Sequence, residues 1–270
     1  MRYLFWNTNR KDVNEIIYNM VQEHRPTLLA LAEYDKDIRE LVKYLKIRTG
    51  VDYAVVEKFA CRVQILIQDK LSSYVKHCSD HTNYTIKVLP YNSYHDDHIV
   101  AFVHLPSKMQ DNREKNRHLL EQITCKINNL DSSRNRKAVI LGDFNLNPYE
   151  DAMTYFTGCN AVSAREVAMK ISRKDKHEKG KEYFYYYNPM WNFLGDLNDI
   201  NVTYYYDKTM DHSRYWNTFD QFVVSPALIK DIEEIRILKN VGSVSLANKN
   251  RIPDSKISDH YPLYFKLGGA

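Results

Sequence analysis

The chain has 270 residues, of which 44% are hydrophobic and 27% are charged, the composition of an ordinary globular protein that can bury a full core. Its formal net charge of +4 is compatible with a polyanionic substrate but does not require one. No apolar run approaches the roughly 20 residues of a membrane span, and the chain begins with a strand-like segment rather than a cleavable leader. We therefore expect a cytoplasmic protein, in which Cys61 and Cys125 are buried free thiols because both fall within apolar patterns.

The hydrophobic pattern alternates strands and helices through the first half of the chain. Predicted helices cover residues 13–20, 38–45 and 113–130, and a short one follows the turn at 147–148. Predicted strands cover residues 2–6, 27–31, 53–56, 62–67, 84–89, 99–105, 138–141, 204–206, 218–224, 232–238 and 261–267. Strand–helix units mixed with runs of adjacent strands favour an α/β fold of two sheets packed face to face, with helices outside. No repeat or Pro/Gly linker interrupts the chain, so we expect a single domain over residues 1–267 and a tail at 268–270.

Short polar segments stand at the ends of several predicted strands. They are Trp6-Asn7, Ala32-Glu33, Val103-His104-Leu105, Gly142-Asp143-Phe144-Asn145, Phe219-Asp220 and Ser258-Asp259-His260. Acidic, amide and imidazole groups are costly to bury without partners. Their repeated occurrence at strand ends therefore predicts that they converge on one polar site at the edge of a sheet.

These residue types suit metal-assisted hydrolysis of a phosphate ester. Glu33 is a hard oxygen ligand that, with Asn7, could hold Mg²⁺. Asp143 could take a proton from water, while Asn145, two residues further on, could steady the attacked oxygen by hydrogen bonding.

Two acid–imidazole pairs complete the set. Asp259 next to His260 suggests a carboxylate that fixes the tautomer of an imidazole, and Asp220 and His104 supply a second acid and base. Taken singly, each signal has a plainer explanation: Gly142 to Asn145 is typical of a turn, and Glu33 could be an acid at a helix N-terminus.

The ordered motifs resemble the signature of the endonuclease/exonuclease/phosphatase superfamily, and most closely its uncharacterised bacterial members. Gly142-Asp143-Phe144-Asn145 and Ser258-Asp259-His260-Tyr261-Pro262-Leu263 are the most specific pieces, and the resemblance covers essentially the whole chain. It implies a deoxyribonuclease I-like fold, a four-layer αββα sandwich with two packed mixed β-sheets.

The resemblance also implies a role for each residue of the site. A divalent metal, Mg²⁺ or else Mn²⁺, would bind Glu33 and Asn7, with Asp259 as a further contact. The catalytic residues would be His104 as the acid for the leaving group, Asp143 for the attacking water, Asn145 and His260 on the phosphate, and Asp220 as a carboxylate partner.

The function that follows is a metal-dependent phosphodiesterase, most simply a nuclease with DNA or RNA as its partner and substrate. Two alternatives stay open: a phosphatase or phosphodiesterase acting on a small or lipid-linked phosphate ester, and a non-catalytic nucleic-acid-binding module of the same fold.

Contacts to the substrate are less well defined. Between residues 170 and 206, a run of lysines and arginines gives way to five aromatic residues, a combination that holds single-stranded nucleic acid in other proteins, although charge runs are often solvated surface. Candidate substrate contacts are Arg62, Arg214, Tyr185 and Trp191. His95 to His98 looks like a metal cluster, but it falls between two predicted strands, where polar turns are expected.

Overall fold

The computed structural model describes residues 1–91, 96–107, 112–174, 180–195, 202–208 and 213–268. Its strands are β1 Arg2–Asn7, β2 Leu28–Ala32, β3 Tyr53–Val55, β4 Val63–Gln68, β5 Lys76–His81, β6 Tyr84–Pro90, β7 Asp97–His104, β8 Ala138–Asp143, β9 Ala161–Val162, β10 Ser172–Lys174, β11 Glu182–Phe184, β12 Tyr186–Tyr187, β13 Tyr204–Tyr205, β14 Trp216–Asn217, β15 Asp220–Val224, β16 Ile232–Ile237, β17 Asn240–Val241, β18 Val244–Ser245 and β19 Leu263–Leu267. Its helices are α1 Asn14–His24, α2 Ile38–Thr49, α3 Arg113–Leu130, α4 Asp151–Thr154 and α5 Arg165–Ala168, with 3-10 segments at Asp69–Tyr74, Pro189–Phe193 and Pro226–Asp231.

Two mixed sheets contain most of these strands. The first sheet has the order β16-β19-β1-β2-β4-β3, and the second has the order β5-β6-β7-β8-β15-β12-β9. Parallel pairing occurs between β1 and β2 in the first sheet, and between β7 and β8 and between β9 and β12 in the second. The predicted pair of mixed sheets is therefore confirmed.

The alternation of side chains along the strands produces four layers, because successive residues point to opposite faces of a sheet. On β1, Tyr3 and Phe5 belong to the core between the two sheets, whereas Leu4 and Trp6 face the layer of α1 and α2. Helix α3 covers the outer face of the second sheet. The two sheets meet through stacked aromatic rings, since the centroids of Phe222 and Phe265 lie 4.0 Å apart with ring planes 4° from parallel. The fold is an αββα sandwich.

The helix boundaries follow from local chemistry. Helix α2 begins after Asp37, whose side chain accepts a hydrogen bond from the Arg39 N–H at 2.8 Å, and ends at Gly50, which has a left-handed φ of 69°. Both are common helix-capping arrangements. Helix α3 spans the predicted residues 113–130. Among the helices of the described residues, none has the length and apolar character that crossing a membrane requires.

Some elements differ from the sequence-based expectation. Strand β5 was not predicted because its residues are polar; it is a half-exposed edge strand with a bulge between His77 and Ser79. Cys61 is buried as predicted, but Cys125 is exposed. The buried stripe of α3 contains Leu120, Ile123 and Ile127, and residue 125, two positions after Ile123, does not share its face.

A buried histidine lies between the sheets. Of the segment His95–His98, where a polar turn was expected rather than a metal site, His95 lies outside the described residues, and His98 is 1% exposed. The Nδ1–H of His98 donates to the Leu89 carbonyl at 3.0 Å, and its Nε2 accepts from the Tyr3 hydroxyl. Burial lowers the pKa of His98 to about 4, against a small opposing contribution from the bond to Leu89. His98 is thus a neutral core residue in hydrogen bonds to both sheets.

Acidification is expected to destabilise the protein through His98. Between pH 6.5 and about pH 4 the unfolded chain binds a proton at this position that the folded chain does not, so the free energy of unfolding falls as the pH drops. From pH 7 to pH 5 this amounts to about 2 kcal/mol. Urea titrations of the wild type and of His98→Gln at both pH values measure it, because glutamine does not titrate. Equal pH slopes for the two proteins would contradict this origin of acid sensitivity.

Candidate active site

Strand register brings the predicted polar residues to one edge of the sandwich. Asn7, the last residue of β1, pairs with Ala32, so Glu33 follows at the same edge. In the second sheet Asp143 pairs with both His104 and Asp220. Strands of both sheets therefore place carboxylate, amide or imidazole side chains at this edge.

A buried hydrogen bond joins the two sheets at this edge. The Nδ2–H of Asn7 donates to Oδ2 of Asp143 at 3.0 Å, and the backbone N–H of Asn145 donates to Oδ1 of the same carboxylate at 2.9 Å. The Nδ2 of Asn145 donates to the Leu105 carbonyl at 2.9 Å. Because an amide nitrogen carries two N–H groups, one donor of Asn145 remains for a substrate oxygen.

His260 is fixed from both sides. Its Nδ1 lies 2.8 Å from Oδ2 of Asp220, which is fully buried, and its backbone N–H donates to Oγ of Ser258 at 3.1 Å. Since Nδ1 bonds the carboxylate, Nε2 is the nitrogen left to meet a substrate.

The electrostatics favour a charged imidazolium at His260. Burial alone would lower the pKa of His260, but the carboxylate of Asp220, with smaller contributions from Asp143 and Asp259, raises it to about 10. Burial also raises the pKa of Asp220, whereas the charge of the His260 imidazolium lowers it. At neutral pH the pair holds its proton on the imidazole, as a buried ion pair.

Glu33 and His104 form the open side of the site. The backbone of Glu33 has a left-handed φ of 51°, an uncommon conformation for a non-glycine residue. The Nε2 of His104 lies 3.5 Å from Oε1 of Glu33 and 3.9 Å from Oδ2 of Asp143. Asp259 is half-buried beside His260, and its charge acts on His260 and Tyr204.

The oxygen donors of this edge fit a divalent cation. Asp143, Asp220 and His260 place ligand atoms within 4.8 Å of one another, but Nδ1 of His260 is engaged by Asp220 and the ring holds a proton. The carboxylates of Glu33 and Asp143, with the amide of Asn7, offer only oxygen ligands beside an open cleft. Mg²⁺ prefers such ligands, so this donor set suits it better than the group containing His260.

Thr203 and Tyr204, which belong to none of the polar strand-end motifs, hold the acid–imidazole pair in place. Oγ1 of the buried Thr203 accepts from the backbone N–H groups of Phe219 and Asp220, both at 3.1 Å. The ring of Tyr204 lies against His260 with centroids 4.6 Å apart. The sequence predicts a strand here, but it carries no signal that this strand contacts both Asp220 and His260.

The four candidate substrate contacts lie in different places. Arg62 is exposed and lines a cleft of about 470 Å³ together with Glu33 and His104. Trp191 contacts the ring of Tyr149 edge-on, with centroids 6.5 Å apart. Arg214 is exposed shortly before β14.

Tyr185 does not belong to this edge. Tyr187 pairs with Val224, at the end of β15 opposite Asp220, and Tyr185 packs against the central core. The neighbouring Phe184 lies under the guanidinium of Arg136, 3.9 Å from its ring centre, just before β8 begins. Through Val224, Tyr187 is level with Val139 on β8, which lies roughly 13 Å along the strand from Asp143 at about 3.3 Å per residue.

The glycine of the Gly-Asp-Phe-Asn motif, Gly142, is required by the close packing of two neighbouring strands. It has a φ of 149°, and a Cβ at this position would lie 2.0 Å from the carbonyl oxygen of Val103 on the neighbouring strand. Glycine thus permits the close approach of β7 and β8 that places His104 beside Asp143.

We expect Gly142→Ala to lower the free energy of unfolding by about 3 kcal/mol, through backbone strain and displacement of β7. Gly50→Ala is the matched control, because Gly50 also has a positive φ but open space around it, and it should cost only about 1 kcal/mol. Denaturant titration measures both, and equal losses would show that the contact with Val103 is unimportant.

Thr203→Val should lower the free energy of unfolding by about 2 kcal/mol or more, since two buried N–H groups would lose their acceptor. Thr203→Ser keeps the acceptor and should lose only about 1 kcal/mol, the contribution of one methyl group. Equal destabilisation by the two substitutions would mean that packing, not hydrogen bonding, gives Thr203 its role.

No family model and no curated protein matches the sequence. Solved structures match over the full length. A mannosyl-6-phosphatase from Bacteroides thetaiotaomicron aligns with a TM-score of 0.60 and 13% identity over 100% of both chains.

Two further solved structures share the architecture. An endonuclease/exonuclease/phosphatase family protein from Bacteroides thetaiotaomicron aligns with a TM-score of 0.59 and 13% identity, covering 99% of this chain and 97% of the other. TDP2 from D. rerio, complexed with a single-strand DNA product, aligns with a TM-score of 0.57 and 14% identity over 100% and 99%. The chain therefore shares its fold, a deoxyribonuclease I-like αββα sandwich, with these solved structures.

Proposed function

We propose that the protein is a divalent-metal-dependent phosphoric ester hydrolase that cleaves phosphodiesters, with DNA or RNA as its substrate. The observation that carries the proposal is the convergence of a fixed carboxylate, Asp143, and a charged imidazole, His260, at the strand-end edge. One group can accept a proton and the other can donate hydrogen bonds to a negatively charged oxygen.

Asp143 is suited to act on the attacking water. The N–H groups of Asn7 and Asn145 hold its two oxygens through hydrogen bonds of 3.0 and 2.9 Å. The carboxylate is therefore oriented before a substrate arrives, as a general base requires.

His260 and Asn145 are suited to hold the phosphoryl group. The imidazolium presents Nε2–H, and the amide of Asn145 retains one N–H, so two donors can meet the charge that develops on phosphoryl oxygens. We assign His104 to the leaving oxygen, because it lines the same cleft as Glu33 and its Nε2 lies 3.5 Å from Oε1 of Glu33.

Glu33 and Asn7 would hold Mg²⁺ or Mn²⁺, with Asp259 as a further contact, which leaves Asp143 to act on the attacking water. When bound, the cation would supply Lewis-acid stabilisation of the phosphoryl charge. The described residues already provide the water base and the phosphate donors around it.

A second candidate is hydrolysis of a small or lipid-linked phosphate ester. The similarity to a mannosyl-6-phosphatase, at TM-score 0.60, favours it, as the TDP2 complex with single-strand DNA favours a polynucleotide. A non-catalytic nucleic-acid-binding module is the third candidate, and the intact set of Asp143, Asp220 and His260 argues against it.

Replacing Asp143 or His260 by alanine should lower kcat by at least about 10³-fold without unfolding the protein, since each removes a group that acts on the transition state. The assay offers supercoiled plasmid, single-stranded DNA, RNA and a small phosphodiester, each with Mg²⁺, Mn²⁺ or EDTA. His118→Ala is the control, because that imidazole is exposed on α3 and should retain full activity.

Cleavage of a polynucleotide supports the nuclease, and cleavage of the small ester alone moves the substrate to the second candidate. Near-normal turnover by folded Asp143→Ala and His260→Ala would overturn the mechanism.

A further inference from the structure

One cleft continues from the proposed reaction centre toward the start of β4. It has a volume of about 470 Å³, and Glu33 and His104 line it together with the cationic side chains of Arg10, Lys58 and Arg62. A single scissile phosphate would already be met by Asn145 and His260, so the three cations are additional to those donors.

The three cationic side chains differ in whether they already have a partner within the protein. Arg10 is near Glu33, with Nε 3.6 Å from Oε2, and Nζ of Lys58 donates to the Cys61 carbonyl. Arg62 is exposed, and within the described residues it makes no hydrogen bond or ion pair. A guanidinium carries five N–H donors in a planar fork that matches phosphate geometry. Arg62 is thus a free anion-binding group on the wall of the cleft.

The register places Arg62 beside the reaction centre but not in it. Ala32 pairs with Val63 in antiparallel register, so Arg62 and Glu33 continue from neighbouring strands, and strands lie about 4.8 Å apart. Asn7 is one strand further away. Every nucleotide of a nucleic-acid strand carries a phosphate, so a chain that runs from Asp143 along this cleft offers Arg62 a phosphate other than the scissile one.

An exposed aromatic ring lies in the same loop. Phe59 is 85% exposed, although its ring contacts His77 edge-on with centroids 5.3 Å apart. Burying so large an apolar side chain would be favourable, and Phe59 precedes Arg62 by only three residues. Phe59 does not itself line the cleft, but it lies in the loop that carries Lys58 and Arg62, and exposed aromatic rings near cationic side chains are a combination that binds single-stranded nucleic acid.

We infer that Arg62, assisted by Arg10 and Lys58, binds a second, non-scissile phosphate of a single-stranded polynucleotide, and that Phe59 stacks on one of its bases. This inference rests on the proposed function for the position of the scissile phosphate. It distinguishes a phosphodiester chain from a small ester, which has no second phosphate to offer.

The test compares two phosphodiester substrates, a single-stranded oligonucleotide and the p-nitrophenyl ester of thymidine 5′-monophosphate, which has one phosphate. Arg62→Ala should lower kcat/KM for the oligonucleotide at least tenfold more than for the one-phosphate ester, chiefly through KM. Arg62→Lys should recover part of the loss, and Lys126→Ala, which removes an exposed charge on α3, should show no such difference.

Binding is measured separately, by fluorescence anisotropy of the labelled oligonucleotide in EDTA over a range of salt concentrations. Arg62→Ala should reduce the slope of log affinity against log salt by about one. Phe59→Ala should weaken binding about tenfold without changing that slope, because stacking releases no counterions.

Equal losses on both substrates, or an unchanged salt slope in Arg62→Ala, would overturn the inference. If the wild type hydrolyses neither substrate, the proposed function fails. The binding slopes of wild type and Arg62→Ala would then still decide whether Arg62 contacts phosphate.

Discussion

The hydrogen bond from the Asn7 amide to the Asp143 carboxylate is the contact on which the site depends. It connects the last residue of a strand in the first sheet to the last residue of a strand in the second. A carboxylate that is 2% exposed would be costly without partners, and it gains one from each side. The relative position of the two sheets is thereby coupled to the orientation of the proposed general base.

The residues next to this contact adopt conformations that a purely structural edge would not need. Glu33 and Asn145 both have left-handed backbones, with φ of 51° and 50°, and Asp220 is fully buried with one carboxylate oxygen, Oδ1, lacking a hydrogen-bond partner within the described residues. The conformation of Glu33 and the burial of Asp220 each cost free energy of about 1 kcal/mol or more, whereas asparagine adopts the left-handed region more readily. Left-handed non-glycine residues also occur away from this edge, at Arg25, Asn160, Ile171 and Arg251. The unpaired buried oxygen of Asp220 is therefore the feature that most supports the interpretation of this edge as a reaction centre.

The sequence was sufficient for the fold class and for the convergence of the polar residues. Apolar strands read clearly because their residues are buried on both faces, and register then determined which polar residues meet. The contact of Thr203 with Asp220 could not be foreseen, because a threonine just before a short strand gives no sign of which distant N–H groups its hydroxyl will accept from. Strand β5 was not predicted because an edge strand does not need alternating apolar residues. Cys125 was wrongly predicted to be buried, because apolar neighbours in the sequence do not determine which face of a helix a residue occupies.

Which cationic residues are available to bind a substrate could not be predicted from the sequence. The lysine- and arginine-rich segment after residue 170 attracted attention by its composition, yet in the structure Arg173 lies over the ring of Phe156, 5.2 Å from its centre, and Lys181 lies over Tyr183. These cations are partly satisfied by cation–π contacts at the end of the sheet away from Asp143. Arg62 is a single charge in an unremarkable stretch, but it is unpaired in the described residues and lines the cleft beside Glu33. What distinguishes a binding cation from a surface cation is therefore its unsatisfied donors and its distance from the reaction centre, and neither is a property of composition.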